Sequence, residues 1–259
     1  MASNSKSLKA RLNNGETLYG LFHVSFSPTL AEISGHAGYD FVVIDMEHGH
    51  GGISQALSCL QSLSATQTPA ILRLPENSPL WAKKALDLGP DGLIFPMIED
   101  PESAKAAVSS CRYPPAGIRG DAHPMVRASK YGLDNDYLEK CERELLIICQ
   151  VESEKAAKRA GDIAAVDGVD CVMIGRSDLT ASMGFIRDTG YKKDVEEVIK
   201  AAESAVLGGG DAHLAGFPRP HDPLSEMKKR GYNILFGGAD LIFFRNAVVE
   251  DVNKFKNMV

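Results

Sequence analysis

Three observations in this sequence predict a closed (β/α)8 barrel. Short apolar runs alternate with amphipathic segments eight times, capping residues fall at the ends of those segments, and the Gly-x-Gly-x-x-Gly fingerprint that follows the first strand of a dinucleotide-binding open sheet is missing. An open, doubly wound sheet is the alternative. The 259 residues suit one barrel domain spanning 1–259, with 1–7 expected to be flexible.

The eight strands are expected over 18–24, 41–45, 70–74, 92–96, 145–151, 170–174, 213–217 and 233–236. Runs such as Phe41-Val42-Val43-Ile44 are apolar on both sides, as strands covered on both faces must be. Helices are expected over 29–36, 53–64, 80–88, 101–110, 155–165, 195–207, 222–230 and 239–257, because apolar residues recur there every three or four positions, as in Trp81, Ala85 and Leu88. Asp100-Pro101 and Asp222-Pro223 mark starts, with proline at the first helical position, and Gly89, Gly208 and Gly231 mark stops. The stretch 114–136, rich in Pro, Gly and charge, is too long for an ordinary connection and suggests a lid or a subunit contact.

Composition narrows the function classes. Hydrophobic residues make up 44% and charged residues 24%, with 28 Lys+Arg against 34 Asp+Glu, which describes a soluble globular chain. No basic run of the kind that tracks a phosphate backbone is present, so a nucleic-acid partner is not expected. No apolar run reaches the ~18 residues that span a bilayer, so no membrane partner is expected either. Five cysteines, none in a Cys-x-x-Cys pair, read as reduced thiols mostly in the core. The first residues lack the apolar segment of a secretory signal, which leaves the cytoplasm, or an organelle if a transit peptide has been removed.

In a barrel the reactive residues stand at the C-terminal ends of the strands. Strand two ends in Asp45, Glu47 and His48, strand three in Arg73, strand five in Gln150 and Glu152, and strand six in Gly175, Arg176, Ser177 and Asp178. Glu152 and Asp178 come from consecutive strands and can share an octahedral cation while leaving positions for water and substrate. That donor set favours Mg2+ or Mn2+, with Co2+ admissible. Each residue also has a structural reading. Asp178 can cap a helix starting near Leu179, Glu152 can pair with Lys155, and His48 can be a structural histidine. Arg73 inside an apolar strand needs an anionic partner. His48-x-His50 permits a zinc pair, although no later strand end clearly supplies further histidines.

The strings Asp45-Met46-Glu47-His48-Gly49, Leu72-Arg73, Phe95-Pro96-Met97-Ile98-Glu99, Pro115-Ala116-Gly117-Ile118-Arg119-Gly120, Gln150-Val151-Glu152 and Gly175-Arg176-Ser177-Asp178-Leu179-Thr180 resemble those of the HpcH/HpaI class II pyruvate aldolases from about Leu8 onward. The overall wording looks most like plant members, which adds the plastid stroma as an expected compartment. The resemblance implies His48 as general base, Arg73 as stabiliser of the developing oxyanion, Glu152 and Asp178 as metal ligands, and Gln150 with the backbone at Ser177 and Asp178 as the pyruvate site. Asp87 matches the aspartate that raises the basicity of the histidine. Because it ends the helix after strand three, it is expected to reach His48 of a neighbouring subunit.

The reaction so implied is enolisation of pyruvate and attack on an aldehyde to form a 4-hydroxy-2-oxo acid, with oxaloacetate decarboxylation as a side activity. The final helix has family precedent for packing on a neighbouring barrel, which favours a hexamer built as a trimer of dimers. Two departures stand out. Arg176 replaces a usual proline, and Gly49-His50-Gly51 stands where plant-like members have Gly-Pro-Gly. Arg176 can bind a carboxylate or phosphate on the substrate, or can occlude the pocket by pairing with Asp178. A catalytically silent barrel binding a carboxylate or phosphate ligand is the alternative function.

Overall fold

The computed structural model describes residues 6–187, 192–219 and 221–257. Strands β1 (Leu18–His23), β2 (Phe41–Asp45), β3 (Ala70–Arg73), β4 (Gly92–Phe95), β5 (Leu146–Val151), β6 (Cys171–Ile174), β7 (His213–Gly216) and β8 (Tyr232–Ala239) are all parallel. They close in sequential order, with β8 against β1. The helices are α1 (Leu8–Asn13), α2 (Pro28–His36), α3 (Ile53–Ala65), α4 (Pro79–Leu88), α5 (Pro101–Cys111), α6 (Tyr137–Glu144), α7 (Glu154–Ala157), α8 (Ala160–Ala164), α9 (Arg176–Ser182), α10 (Lys193–Gly209), α11 (Leu224–Lys229) and α12 (Asp240–Lys256).

Alternation along each strand divides the core in two. Leu18 and Phe22, Phe41 and Val43, Ile71, Ile94, Leu146 and Ile148, Met173, and Ile234 with Phe236 fill the barrel interior. Val42, Ile44, Leu72, Leu93, Cys149 and Val172 face outward into the layer beneath the helices. Gly20 makes room for this packing, since a Cβ there would fall 2.3 Å from the Phe41 ring. The same parity carries on past the apolar residues and turns Asp45, Arg73 and Gln150 inward at the C-terminal end.

Caps explain several boundaries. Asp100 accepts from Ser103 N with Pro101 next, and Gly89 ends α4 with φ 75°. Pro223, expected at the first helical position of α11, is instead its N-cap, because Asp222 turns its carboxylate inward to two arginines. The segment 155–165 forms two short helices rather than one, and α10 runs past Gly208 to Gly209.

Two helices, α1 and α6, were not anticipated. Ser7 caps α1, whose Leu8 and Leu12 plug the N-terminal mouth of the barrel. Residues 1–5 of the segment expected to be flexible lie outside the described residues. The stretch 114–136 contains a 3-10 turn at Arg127–Ser129 and is not a lid. Arg127 donates to Leu88 O at the end of α4, which holds the stretch at the floor of the barrel, opposite the strand ends where reactive residues gather. A connection from the end of a helix to the start of a strand has to lie there.

The last helix differs from the rest. Its root is fastened by Asp240, which accepts from Val24 N and Ser25 N and lies 3.0 Å from His23 Nδ1. Asp240 is also its only buried residue, while Phe244 and Phe255 are 62% and 69% exposed. No helix in the described residues is long and apolar enough to cross a membrane. The five cysteines are unpaired and, apart from Cys141, buried.

Candidate active site

A cavity of about 410 Å³ opens at the C-terminal end of the barrel, lined by Asp45, His48, Arg73, Gln150, Ser177 and Asp178 among others. Its apolar wall comes from Phe22, Val24, Met173 and Phe217, with Ile242 from the root of α12. Sequence reading missed this wall, although the inward parity of β1, running Leu18, Gly20, Phe22, would have found its first member.

Arg73 is the centre of the charged half. Its Nε and Nη2 donate to the two Asp45 oxygens at 2.8 and 2.6 Å, Nη1 lies 2.9 Å from Glu47, and the guanidinium covers the Phe22 ring at 4.9 Å. The anionic partner that an arginine in an apolar strand requires is therefore Asp45, one step across the β2–β3 ladder. Asp45 also accepts from the backbone N–H of Glu47 and His48, so it shapes the turn that follows β2. The turn is tight at Gly49, where a Cβ would lie 2.4 Å from both Asp45 O and the Phe26 ring. His48 is thereby held at the rim with 63% of its side chain exposed, 3.9 Å from Glu47.

Glu152 lies below the rim and is almost wholly buried. Burial pushes its carboxyl up to about 8, helped by the neighbouring charges of Glu47 and Asp178 and opposed by Arg73 and the Gln150 side chain. Burial likewise raises Glu47, against the pull of Arg73. Glu152 Oε1 and Gln150 Oε1 are buried without a hydrogen-bond partner among the described residues. Gly175 permits this closeness, since a Cβ there would fall 2.7 Å from Glu152 Cγ. Lys155, the structural partner considered for Glu152, turns instead toward Glu99 and Asp100. Nor does Asp178 cap a helix, because α9 starts at Arg176 with Gly175 as N-cap.

These residues fit a hard divalent cation. Orphaned carboxylate and amide oxygens converge where the Arg73 guanidinium is already engaged by Asp45, and such a site relieves its repulsion with a proton or a metal. No group of three or more His, Cys, Asp or Glu forms a ready-made metal cluster among the described residues. Two carboxylates would leave the remaining positions to water and substrate. The His48-x-His50 zinc pair finds no third ligand there, and His50 lies edge-on to Phe26 with ring centroids 6.0 Å apart.

Two expected site residues take other partners, Arg176 on the cavity wall and Asp87 outside it. The Arg176 guanidinium turns away from Asp178 and the substrate space, donating to Glu196 of α10 at 3.2 and 3.3 Å, to Asp222 at 2.8 Å and to Glu203 at 3.4 Å. It neither occludes the pocket by pairing with Asp178 nor offers a free cation to a substrate, because buried carboxylates behind α9 outcompete both. Asp87 sits in the last turn of α4, 3.8 Å from Arg119 and next to the floor cavity lined by Leu86, Asp91 and Arg119. It does not line the cavity that holds His48 and Arg73.

Known proteins resemble this chain in overall sequence and in architecture. The HpcH/HpaI aldolase/citrate lyase family model matches residues 18–247. A 2-keto-3-deoxy-L-rhamnonate aldolase of Klebsiella pneumoniae is 34% identical over 254 residues, 98% of this chain and 94% of that one. A hydroxypyruvate/pyruvate aldolase of Delftia acidovorans is 32% identical over 248 residues, 96% and 91% of the two chains. The crystal structure of an HpcH/HpaI aldolase/citrate lyase family protein from Burkholderia cenocepacia superposes with a TM-score of 0.90 at 34% identity, covering 97% of this chain and all of that one.

Proposed function

The chain belongs to the HpcH/HpaI aldolase/citrate lyase family, and from that premise we propose that it is a divalent-metal-dependent pyruvate aldolase, a carbon–carbon lyase that forms and cleaves 4-hydroxy-2-oxo acids. The observation that carries this reading is the uncompensated carboxylate Glu152, buried beside Asp178 and Glu47 and opposite an arginine already bound by Asp45.

Glu152 and Asp178 would hold Mg2+ or Mn2+, which when bound supplies Lewis-acid polarisation of a 2-oxo acid. The protein groups do the rest. Gln150 and the backbone N–H groups of Ser177 and Asp178, in the first turn of α9, orient the pyruvate carboxylate. His48 takes a methyl proton through a water, its exposed imidazole being free to reach one. Of the five guanidinium N–H groups of Arg73, two go to Asp45 and one faces Glu47, leaving two to stabilise the negative charge that develops on the enolate oxygen. The enolate carbon then attacks the aldehyde, and cleavage reverses these steps. Oxaloacetate, which passes through the same enolate on losing CO2, is a side substrate.

The oligomer belongs to this reading. Asp87 faces away from its own cavity, so it would orient His48 of a neighbouring chain. The exposed apolar α12 would pack on another barrel, in a hexamer arranged as a trimer of dimers. Light scattering after size exclusion tests that assembly. The compartment is the cytoplasm or the plastid stroma.

The activity is tested by NMR of pyruvate methyl-proton exchange in D2O, with Mg2+ or Mn2+ and then with EDTA. Exchange should require the metal and should fall by roughly 10²- to 10⁴-fold in His48→Ala. Absence of exchange with every metal would favour a silent barrel that binds a carboxylate or phosphate ligand.

A further inference from the structure

Behind the active-site cavity a second charged cluster is buried, and the chemistry above does not use it. Arg176, Glu196, Glu203 and Asp222 are each less than a tenth exposed. Arg230 shares Asp222 at 2.7 and 2.8 Å and Glu203 at 3.0 Å, and Tyr232 donates to Glu203 at 2.7 Å. The cluster ties α9 to α10, to the turn before α11 and to the start of β8.

Arg176 is the member that needs explaining. It is the first residue of α9, where the helix dipole opposes a positive charge, and a long side chain loses rotamer entropy when it is immobilised. Its fork is nevertheless engaged on both terminal nitrogens. Two positions on, Asp178 has no hydrogen bond or ion pair within the described residues, and its side chain is exposed. Its place therefore depends on the backbone of a seven-residue helix, with Leu179 buried beneath it.

We propose that Arg176 is a positioning residue for the cation site: by locking the first turn of α9 to α10 and to the turn before α11, it holds Asp178 and the neighbouring backbone N–H groups at the cavity. The proposal rests on the reading of Glu152 and Asp178 as cation ligands. Although Arg176 also borders the cavity, the role lies with its guanidinium, which is held on the outer side of α9.

Titration of the full-length protein with Mn2+, following free Mn2+ by electron paramagnetic resonance, tests it. Arg176→Met should weaken Mn2+ binding about tenfold, as loss of groups supporting a ligand commonly does. Arg176→Lys, which keeps the charge and loses the fork, should weaken it less. Arg112→Met, which removes a surface partner of Asp167, should leave it unchanged. If Arg176→Met does not fold, Arg176→Lys and Glu196→Gln carry the test, since Arg176 then retains Asp222 and Glu203. Folded Arg176 variants with a lower melting temperature and wild-type Mn2+ affinity would overturn the proposal, because stabilisation alone predicts that pattern. Failure of the wild type to bind Mn2+ would overturn the cation reading itself, and the proposal with it.

Discussion

Two clusters of charge lie on opposite sides of α9, and both are built from carboxylates and arginine. On the cavity side Asp45, Glu47, Glu152 and Asp178 face one guanidinium, that of Arg73, and Glu152 is left with an unpartnered buried oxygen. On the outer side Glu196, Glu203 and Asp222 meet both Arg176 and Arg230, with Tyr232 filling a further acceptor. The outer cluster is close to balanced and needs nothing from outside. The inner one carries a surplus of negative charge that only a proton or a cation can relieve. Similar residues thus serve opposite ends, and the local ratio of charges separates the roles.

Removing one member of each cluster sharpens the contrast. Glu203→Ala leaves the buried Tyr232 hydroxyl without its acceptor and takes one carboxylate from Arg230, which keeps Asp222, and should cost about 1–3 kcal/mol in denaturant unfolding. If the loss falls below 1 kcal/mol, the outer cluster is wet or rearranges, and the contrast is weaker than drawn. The inner cluster should respond the other way. Mn2+ at about 100 times its Kd should stabilise the wild type by about 2.7 kcal/mol and leave Glu152→Gln unmoved.

The pH dependence has a definite sign. Between its ordinary 4.5 and about 8, cation-free folded protein keeps a proton on Glu152 that the unfolded chain has released. Stability from this group therefore falls as pH rises through that window, and Glu152→Gln should remove the slope in thermal melts. A surface pair gives the lower bound for comparison: Lys158→Ala, which breaks the exposed pair with Glu154, should cost only about 0.3–0.5 kcal/mol.

Much of this was legible in the chain. The eight apolar runs fall on the eight strands to within a few residues, because a strand covered on both faces has to be apolar at every position. Strand ends then pointed to Asp45, His48, Arg73, Gln150, Ser177 and Asp178, which line one cavity, and to Glu152, which is buried below its rim. Reading failed where a side chain had two destinations. Arg176 adjoins both the substrate space and the outer layer, and its sequence neighbours do not reveal three carboxylates arriving from α10 and from the turn before α11. The lid reading of 114–136 failed for a simpler reason, since the order of elements around it already implied the floor of the barrel.

Hydrophobic periodicity and capping residues by themselves determined the barrel, the ends at which chemistry can occur and the type of donor found there, because those properties repeat locally along the chain. Only the tertiary structure decided which carboxylate neutralises which arginine. A charge pairs with whatever lies within a few ångströms, and in a closed barrel those neighbours come from elements tens of residues away in sequence.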